Sequence, residues 1–271
     1  MKIEINNIDI KSILFSGACF RAYSEDDGTI TNILSDRVIN IKIYDNYIYV
    51  TSSNYDNLKE IIYDYFDLNR DYNKINEFLI KKEPSLKNII NKCNDYRILN
   101  QEPFEMCISY IISQNNNVKR ISKTIDLLCK DFGKKIIFNN KEYYLFPTYD
   151  SLKDITLEKL RTYGVGFRDK YIKDYLDKYN EVKEIDKLDT KDAIEKLLLV
   201  KGIGLKVASC ILLFGYKRLD VFPIDTWVKK YISENYNIKN DQKTIKEYAI
   251  KTFGEYSGLV IQYMYHSMRN N

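Results

Sequence analysis

The chain has 271 residues, 45% of them hydrophobic, which is enough for one large domain or two modest ones with an ample core. Its formal charge of +4 is only mildly basic and does not by itself establish a nucleic-acid partner. A single histidine argues against a histidine-based metal site or triad, and the five cysteines show neither zinc spacing nor a compact disulfide framework.

No apolar run reaches the roughly 18 residues of a membrane span, and the opening MKIEINNIDI lacks a secretory apolar segment. A reducing cytosol is the expected compartment, with association to the nucleoid if the source is prokaryotic. Along the chain, Ile39, Ile41 and Ile43 alternate with Asn40, Lys42 and Tyr44, the period of a half-buried strand. Asp45-Asn46 reads as a hairpin turn into Tyr47-Ile48-Tyr49-Val50-Thr51. Residues 13–23 and 29–34 are expected to supply partner strands. A helical period begins near 54, with Leu58, Ile61, Ile62, Tyr65 and Phe66 on one face. Residues 1–94 therefore read as an antiparallel sheet with one or two covering helices. Gly17, in Ser16-Gly17-Ala18-Cys19-Phe20-Arg21, suits a strand bulge.

The remainder, 95–271, reads as helical, making the fold class α+β. Pro103 suits the first turn of a helix, Glu102 and Glu105 suit its dipole, and 104–112 is apolar enough for a buried central helix. Ser113-Gln114-Asn115-Asn116-Asn117 reads as a capping turn before Val118-Lys119-Arg120. Helix is expected over 124–132, then a loop or short hairpin at 138–144, then an apolar helical face at Leu152, Ile155, Leu157 and Leu160. Tyr163-Gly164-Val165-Gly166-Phe167-Arg168 is a tight turn ahead of another helix. A helical run over 185–200, helices at 226–235 and 244–256, and an apolar, aromatic tail at 258–266 complete the chain.

The most informative stretch is 199–230. Val200-Lys201-Gly202-Ile203-Gly204 forms a hairpin between apolar helical runs, and its two glycines allow a tight turn and close approach to another molecule. The next helix opens at about Leu205, so its free N–H groups and positive dipole end make an anion site at the hairpin, which a nucleic-acid phosphate fits. A helix over 205–215 is about 15 Å long. Residues 216–224, which include Pro223, span about 30 Å if extended and can double back along it. Asp225 would then cap a helix beginning at Thr226, near the level of Lys206. An amine and a carboxylate beside a phosphate-binding hairpin point to chemistry at a nucleotide sugar. A noncatalytic DNA-binding module would instead use Lys206 as a phosphate contact and Asp225 as a plain cap.

This hairpin, lysine and aspartate resemble those of the helix-hairpin-helix (HhH-GPD) DNA glycosylases, most closely the bifunctional 8-oxoguanine DNA glycosylase/lyases. The resemblance covers nearly the whole chain and implies an N-terminal antiparallel sheet module (1–94) packed on an all-helical glycosylase core (95–271), with the helix-hairpin-helix at about 190–215. It implies a monomer acting on double-stranded DNA containing oxidised guanine, with no cofactor, no metal and no membrane partner. The four-cysteine iron–sulfur cluster of the endonuclease III and adenine glycosylase branches is missing. By resemblance Lys206 attacks C1′ of an extruded nucleotide and forms a Schiff base that β-eliminates, while Asp225 stabilises charge on the sugar. The lysine must be neutral to attack, against a reference pKa of about 10.4. Cys210, one helical turn from Lys206, could tune that environment.

The run at 16–21 resembles the family segment whose glycine carbonyl accepts from N7–H of the oxidised base, a role that falls to Gly17, with Ala18 where the family has glutamine. Cys210, Pro223 and Tyr265 join it in the base pocket. In the tail two registers compete for the family's glutamine and its stacking aromatic: Ile261 with Tyr265, which is preferred, or Gln262 with His266. At the DNA face, Asn115 would fill the gap left by the base, Arg120 would touch the opposite base, Phe167 would wedge between bases and Arg168 would donate to the estranged cytosine. Gly202 and Gly204 would hold a phosphate. Trp227 stands where some relatives have histidine and Met268 where some have an acid. The rival enzyme is a monofunctional alkylated-base glycosylase, against which Lys206 argues.

Overall fold

The structure, a computed structural model, describes residues 1–269. Five strands, β1 (Lys2–Glu4), β2 (Ala22–Ser24), β3 (Ile30–Ile33), β4 (Val38–Ile43) and β5 (Tyr47–Ser52), form one antiparallel sheet in the order β1-β5-β4-β3-β2. The turn at Asp45-Asn46 sets the central register, pairing Ile43 with Ile48 and Ile41 with Val50. Strict alternation fails at the start of β4, where Val38 and Ile39 are both fully buried. The cause lies 100 residues away in sequence: a two-stranded hairpin, Lys135–Phe138 with Lys141–Tyr144, brings Leu145 onto Val38 and Ile33 and covers the second face. Arg21 donates to the carbonyl of Tyr144, and Lys141 pairs with Glu25 at 2.6 Å, tying that hairpin to the sheet.

Residues 13–23 are not the expected strand. Asp9 accepts from the Ser12 amide at 2.9 Å and caps a helix, Ile10–Leu14, and Gly17 then turns at φ +94°, leaving only Ala22–Ser24 to pair. Three further helices, Leu58–Tyr65, Tyr72–Lys82 and Lys87–Lys92, follow the sheet and share its apolar core. The central helix Pro103–Ser113 starts on Pro103, capped by the Glu102 carboxylate on the Glu105 amide at 2.7 Å, and every residue from Phe104 to Ile112 is buried. It lies against the helix Leu205–Gly215, where a Cβ on Gly215 would meet Met106 and Pro103 at 3.2 Å. That close approach places the lysine-bearing helix on a rigid backing.

Around these two run Val118–Phe132, Asp169–Asp177, Thr190–Leu198, Thr226–Tyr236, Gln242–Phe253 and Ser257–Arg269. The expected run over 185–200 is interrupted, because Asp189 caps a fresh helix after one 3-10 turn at Ile185–Lys187. The last helix returns to the first module, packing on Lys87–Lys92 and donating the Tyr263 hydroxyl to Asn76 at 2.9 Å. One apolar core therefore runs from Ile3 to Met264. Among the described residues no helix is long and apolar enough to cross a membrane.

Candidate active site

The lysine helix begins at Gly204 with no side-chain cap, so its first amides stay open, and space lies free where a Cβ of Gly204 would stand. Gly202 turns at φ +84° directly on the Tyr171 ring, which a Cβ would meet at 2.3 Å. Asp174 accepts from the Lys201 amide at 2.7 Å, and Lys178 donates to the Leu199 carbonyl at 2.7 Å. The helix Asp169–Asp177 thus carries the hairpin from beneath and leaves its outer side open to an anion.

Lys206 is exposed in the first turn of the helix Leu205–Gly215, with Cys210 one turn on. Burial pushes the Cys210 thiol above its ordinary range, and the nearby Lys206 ammonium pulls it part of the way back, while Asp225 adds to the rise. The segment after Gly215 doubles back as its length allows. Gly258 makes the return possible: its amide donates to Leu219 at 2.7 Å, and a Cβ there would press on the Leu219 and Val221 carbonyls. Asp225 then caps Thr226–Tyr236 in extended conformation, its Oδ1 accepting from the Val228 amide at 2.9 Å. Two residues past it, the only tryptophan, Trp227, is 64% exposed.

Lys206 borders a cleft of about 570 Å³ that also takes in Gly17, Ala18, Cys210, Pro223, Gln262 and Tyr265. Its volume falls in the range of roughly 300–1,000 Å³ usual for ligand pockets. The tail corrects the preferred register. Ile261 is fully buried in the core, whereas Gln262, Tyr265 and His266 share the helical face that lines the cleft, at i, i+3 and i+4. His266 packs on Tyr96 with ring centres 4.9 Å apart. Phe15, Tyr96 and Tyr110 also line the cleft and carry no local signal that marks them in the sequence. No group of three or more metal-ligating side chains occurs among the described residues.

A second cluster lies around the asparagine turn. Asn115 adopts φ +48°, and Asn117 caps Val118–Phe132 through the Arg120 amide at 3.0 Å, leaving the Arg120 side chain exposed. Phe167 is 53% exposed and covers the Arg168 guanidinium at 4.5 Å. Arg168 is not the free donor expected. It is buried, giving hydrogen bonds to Gln114 O at 2.8 Å, Val165 O at 3.0 Å and Asn115 O at 3.1 Å, so it braces the asparagine turn. Burial holds its pKa below the usual guanidinium value, and neighbouring Arg120 lowers it further.

Residues 1–107 match the N-terminal domain of 8-oxoguanine DNA glycosylase, and 108–253 match the HhH-GPD superfamily of base excision DNA repair proteins. The chain belongs to the 8-oxoguanine DNA glycosylase family of that superfamily. As a member it is a DNA glycosylase with lyase activity. A probable N-glycosylase/DNA lyase of Methanothermobacter thermautotrophicus is 29% identical over 238 residues, 79% of this chain and 76% of the relative. The apo crystal structure of Clostridium acetobutylicum 8-oxoguanine glycosylase/lyase is 34% identical and superposes with a TM-score of 0.91, covering 97% of this chain and 94% of that one. The same Clostridium enzyme in complex with double-stranded DNA containing cytosine opposite 8-oxoG gives 33% identity and a TM-score of 0.92, covering 100% and 98%. Both show the N-terminal sheet and helical core of this family.

Proposed function

We propose that this protein, acting as a monomer, excises 8-oxoguanine from duplex DNA and then cleaves the strand at the abasic site, using Lys206 as nucleophile. The observation that carries the reading is the position of Lys206: it stands at the edge of the cleft with Gly17 and Gln262, beside an open helix N-terminus. Extrusion is required because C1′ is unreachable within the stack. The hairpin amides hold a backbone phosphate, and the flipped base enters the cleft. There the Gly17 carbonyl accepts from N7–H, which guanine lacks, and the Gln262 amide meets the pairing edge. A buried acceptor left unmatched by guanine gives discrimination, since such a loss costs about 1–3 kcal/mol.

Once its ammonium has given a proton to solvent, Nζ of Lys206 forms a bond to C1′ as the bond to the base breaks, and the leaving base takes the electron pair and one proton from the attacking nitrogen. The cation that develops on the sugar faces the Asp225 carboxylate. The C1′–O4′ bond then breaks as the nitrogen lone pair forms the C=N bond, O4′ takes a proton from solvent, and from this protonated Schiff base removal of a C2′ proton expels the 3′ phosphate. Arg120 and Phe167 are the exposed side chains that reach the opposite strand, with Asn115 entering the vacated space and Arg168 bracing the turn behind it.

Borohydride trapping on a duplex with 8-oxoguanine opposite cytosine tests this. The wild type should give a covalent adduct, and Lys206→Gln should give none while still binding the duplex. An adduct that survives in the variant would remove the assigned nucleophile. Excision without any adduct would favour the monofunctional rival, and binding without excision a noncatalytic module.

A further inference from the structure

The base-recognition carbonyl and the nucleophile belong to distant parts of the chain, and one side chain bridges them. Gln101 is buried between the two regions. Its amide N–H donates to the Phe214 carbonyl at 2.8 Å, and its side-chain Nε2 donates to the Ala18 carbonyl at 3.0 Å. Phe214 lies on the lysine helix two turns beyond Lys206 and lines the cleft, and Ala18 follows Gly17 in the cleft wall. Gly17 is held at φ +94°, a conformation that pins the direction of the adjoining peptide only if both sides of the turn are anchored. One anchor is the Ser16 hydroxyl on the Ala18 amide at 3.3 Å; the other is Gln101. Its neighbour Asn100 fastens the same strip to the first module, donating its amide to Tyr65 O at 2.9 Å and its side chain to Asp64 O at 2.6 Å.

We infer that Gln101 is a positioning residue for lesion recognition: through its side-chain N–H it holds the Ala18 carbonyl, one peptide beyond the Gly17 carbonyl, and so fixes Ala18 and restrains the turn that aims the Gly17 carbonyl relative to the helix that carries Lys206. The inference rests on the proposed reading of the cleft and adds a determinant of base specificity that never touches the base. The Phe20, Tyr110 and Phe214 rings link the same three segments by packing, with Tyr110 stacked on Phe214 at 5.8 Å and edge-on to Phe20 at 5.9 Å. Packing sets the spacing of the segments but not the rotation of the peptides on either side of Ala18, which directed hydrogen bonds do set: Ser16 Oγ on the Ala18 amide and Gln101 Nε2 on the Ala18 carbonyl.

Gln101→Met keeps the length of the side chain and the backbone bond to Phe214 but removes the donor. Two reactions separate recognition from chemistry: single-turnover excision of 8-oxoguanine opposite cytosine needs the Gly17 carbonyl, whereas borohydride trapping on a preformed abasic site needs only Lys206. Excision should fall about tenfold or more while abasic-site trapping stays within about twofold of wild type. Gln101→Glu provides a second arm if the methionine variant does not fold: a glutamate donates to Ala18 only when protonated, so its excision, normalised to trapping at each pH, should recover as pH falls. Excision and trapping falling in parallel, or neither changing, would overturn the role given to Gln101. A wild-type protein that traps abasic sites but leaves 8-oxoguanine in place would overturn the substrate reading instead.

Discussion

Asp225 combines two demands that a substitution can separate. Its Oδ1 caps the helix that follows, and its carboxylate charge acts on the same neighbourhood as Lys206 and Cys210. Asparagine caps a helix about as well as aspartate, so Asp225→Asn should shift stability by less than about 1 kcal/mol. Under the proposed mechanism the lost charge removes electrostatic stabilisation of the cationic sugar, and single-turnover excision should drop about a hundredfold or more with DNA affinity retained. An unchanged rate constant would strip the residue of its catalytic part. Lys206, Asp225 and Cys210 were legible in the sequence because their relation is local: one helix, one return segment, one cap. The tail register was not. Ile261 and Gln262 differ by one position, and only the packing of the final helix decides which of them enters the core.

The hairpin and the turn that bears Phe167 form a coupled element. Tyr171 lies under Gly202 and meets Phe167 edge-on at 5.9 Å, and Asp174 on the same helix holds the Lys201 amide. Gly202→Ala would force an alanine into the left-handed region and drive its methyl into the Tyr171 ring. It should destabilise the protein by about 1–3 kcal/mol and weaken duplex binding, readable as a lowered melting temperature and a raised Kd. Wild-type values for both would mean that the ring shifts freely. The glycine was legible as a turn signal, but its reason was not, since Tyr171 is 31 residues upstream. Sheet strands with strict alternation were equally legible, whereas 13–23 misled because one capping aspartate turned its opening into a helix.

Across the whole molecule, the two regions share a core that encloses charge. Glu105 is buried on the central helix, and burial lifts its carboxyl from 4.5 to about 7 despite the opposing pull of Arg21. The folded chain therefore holds a proton between pH 4.5 and 7 that the unfolded chain releases. Stability falls as pH rises through that window, and the full penalty, up to about 3 kcal/mol, is present above it. Glu105→Gln should raise the melting temperature by about 2 °C or more at pH 8 and leave it unchanged at pH 4.5; a gain equal at both values would refute the assignment. Nothing in the sequence announced this, because an acid in the first turn of a helix reads as a favourable dipole partner, and only the tertiary fold shows it to be sealed from solvent. The exposure of Trp227 has a practical consequence of its own. With every other aromatic in the chain a tyrosine or phenylalanine, the indole emission of this protein originates wholly at one exposed position, two residues past Asp225, and so reports on whatever covers that point of the surface.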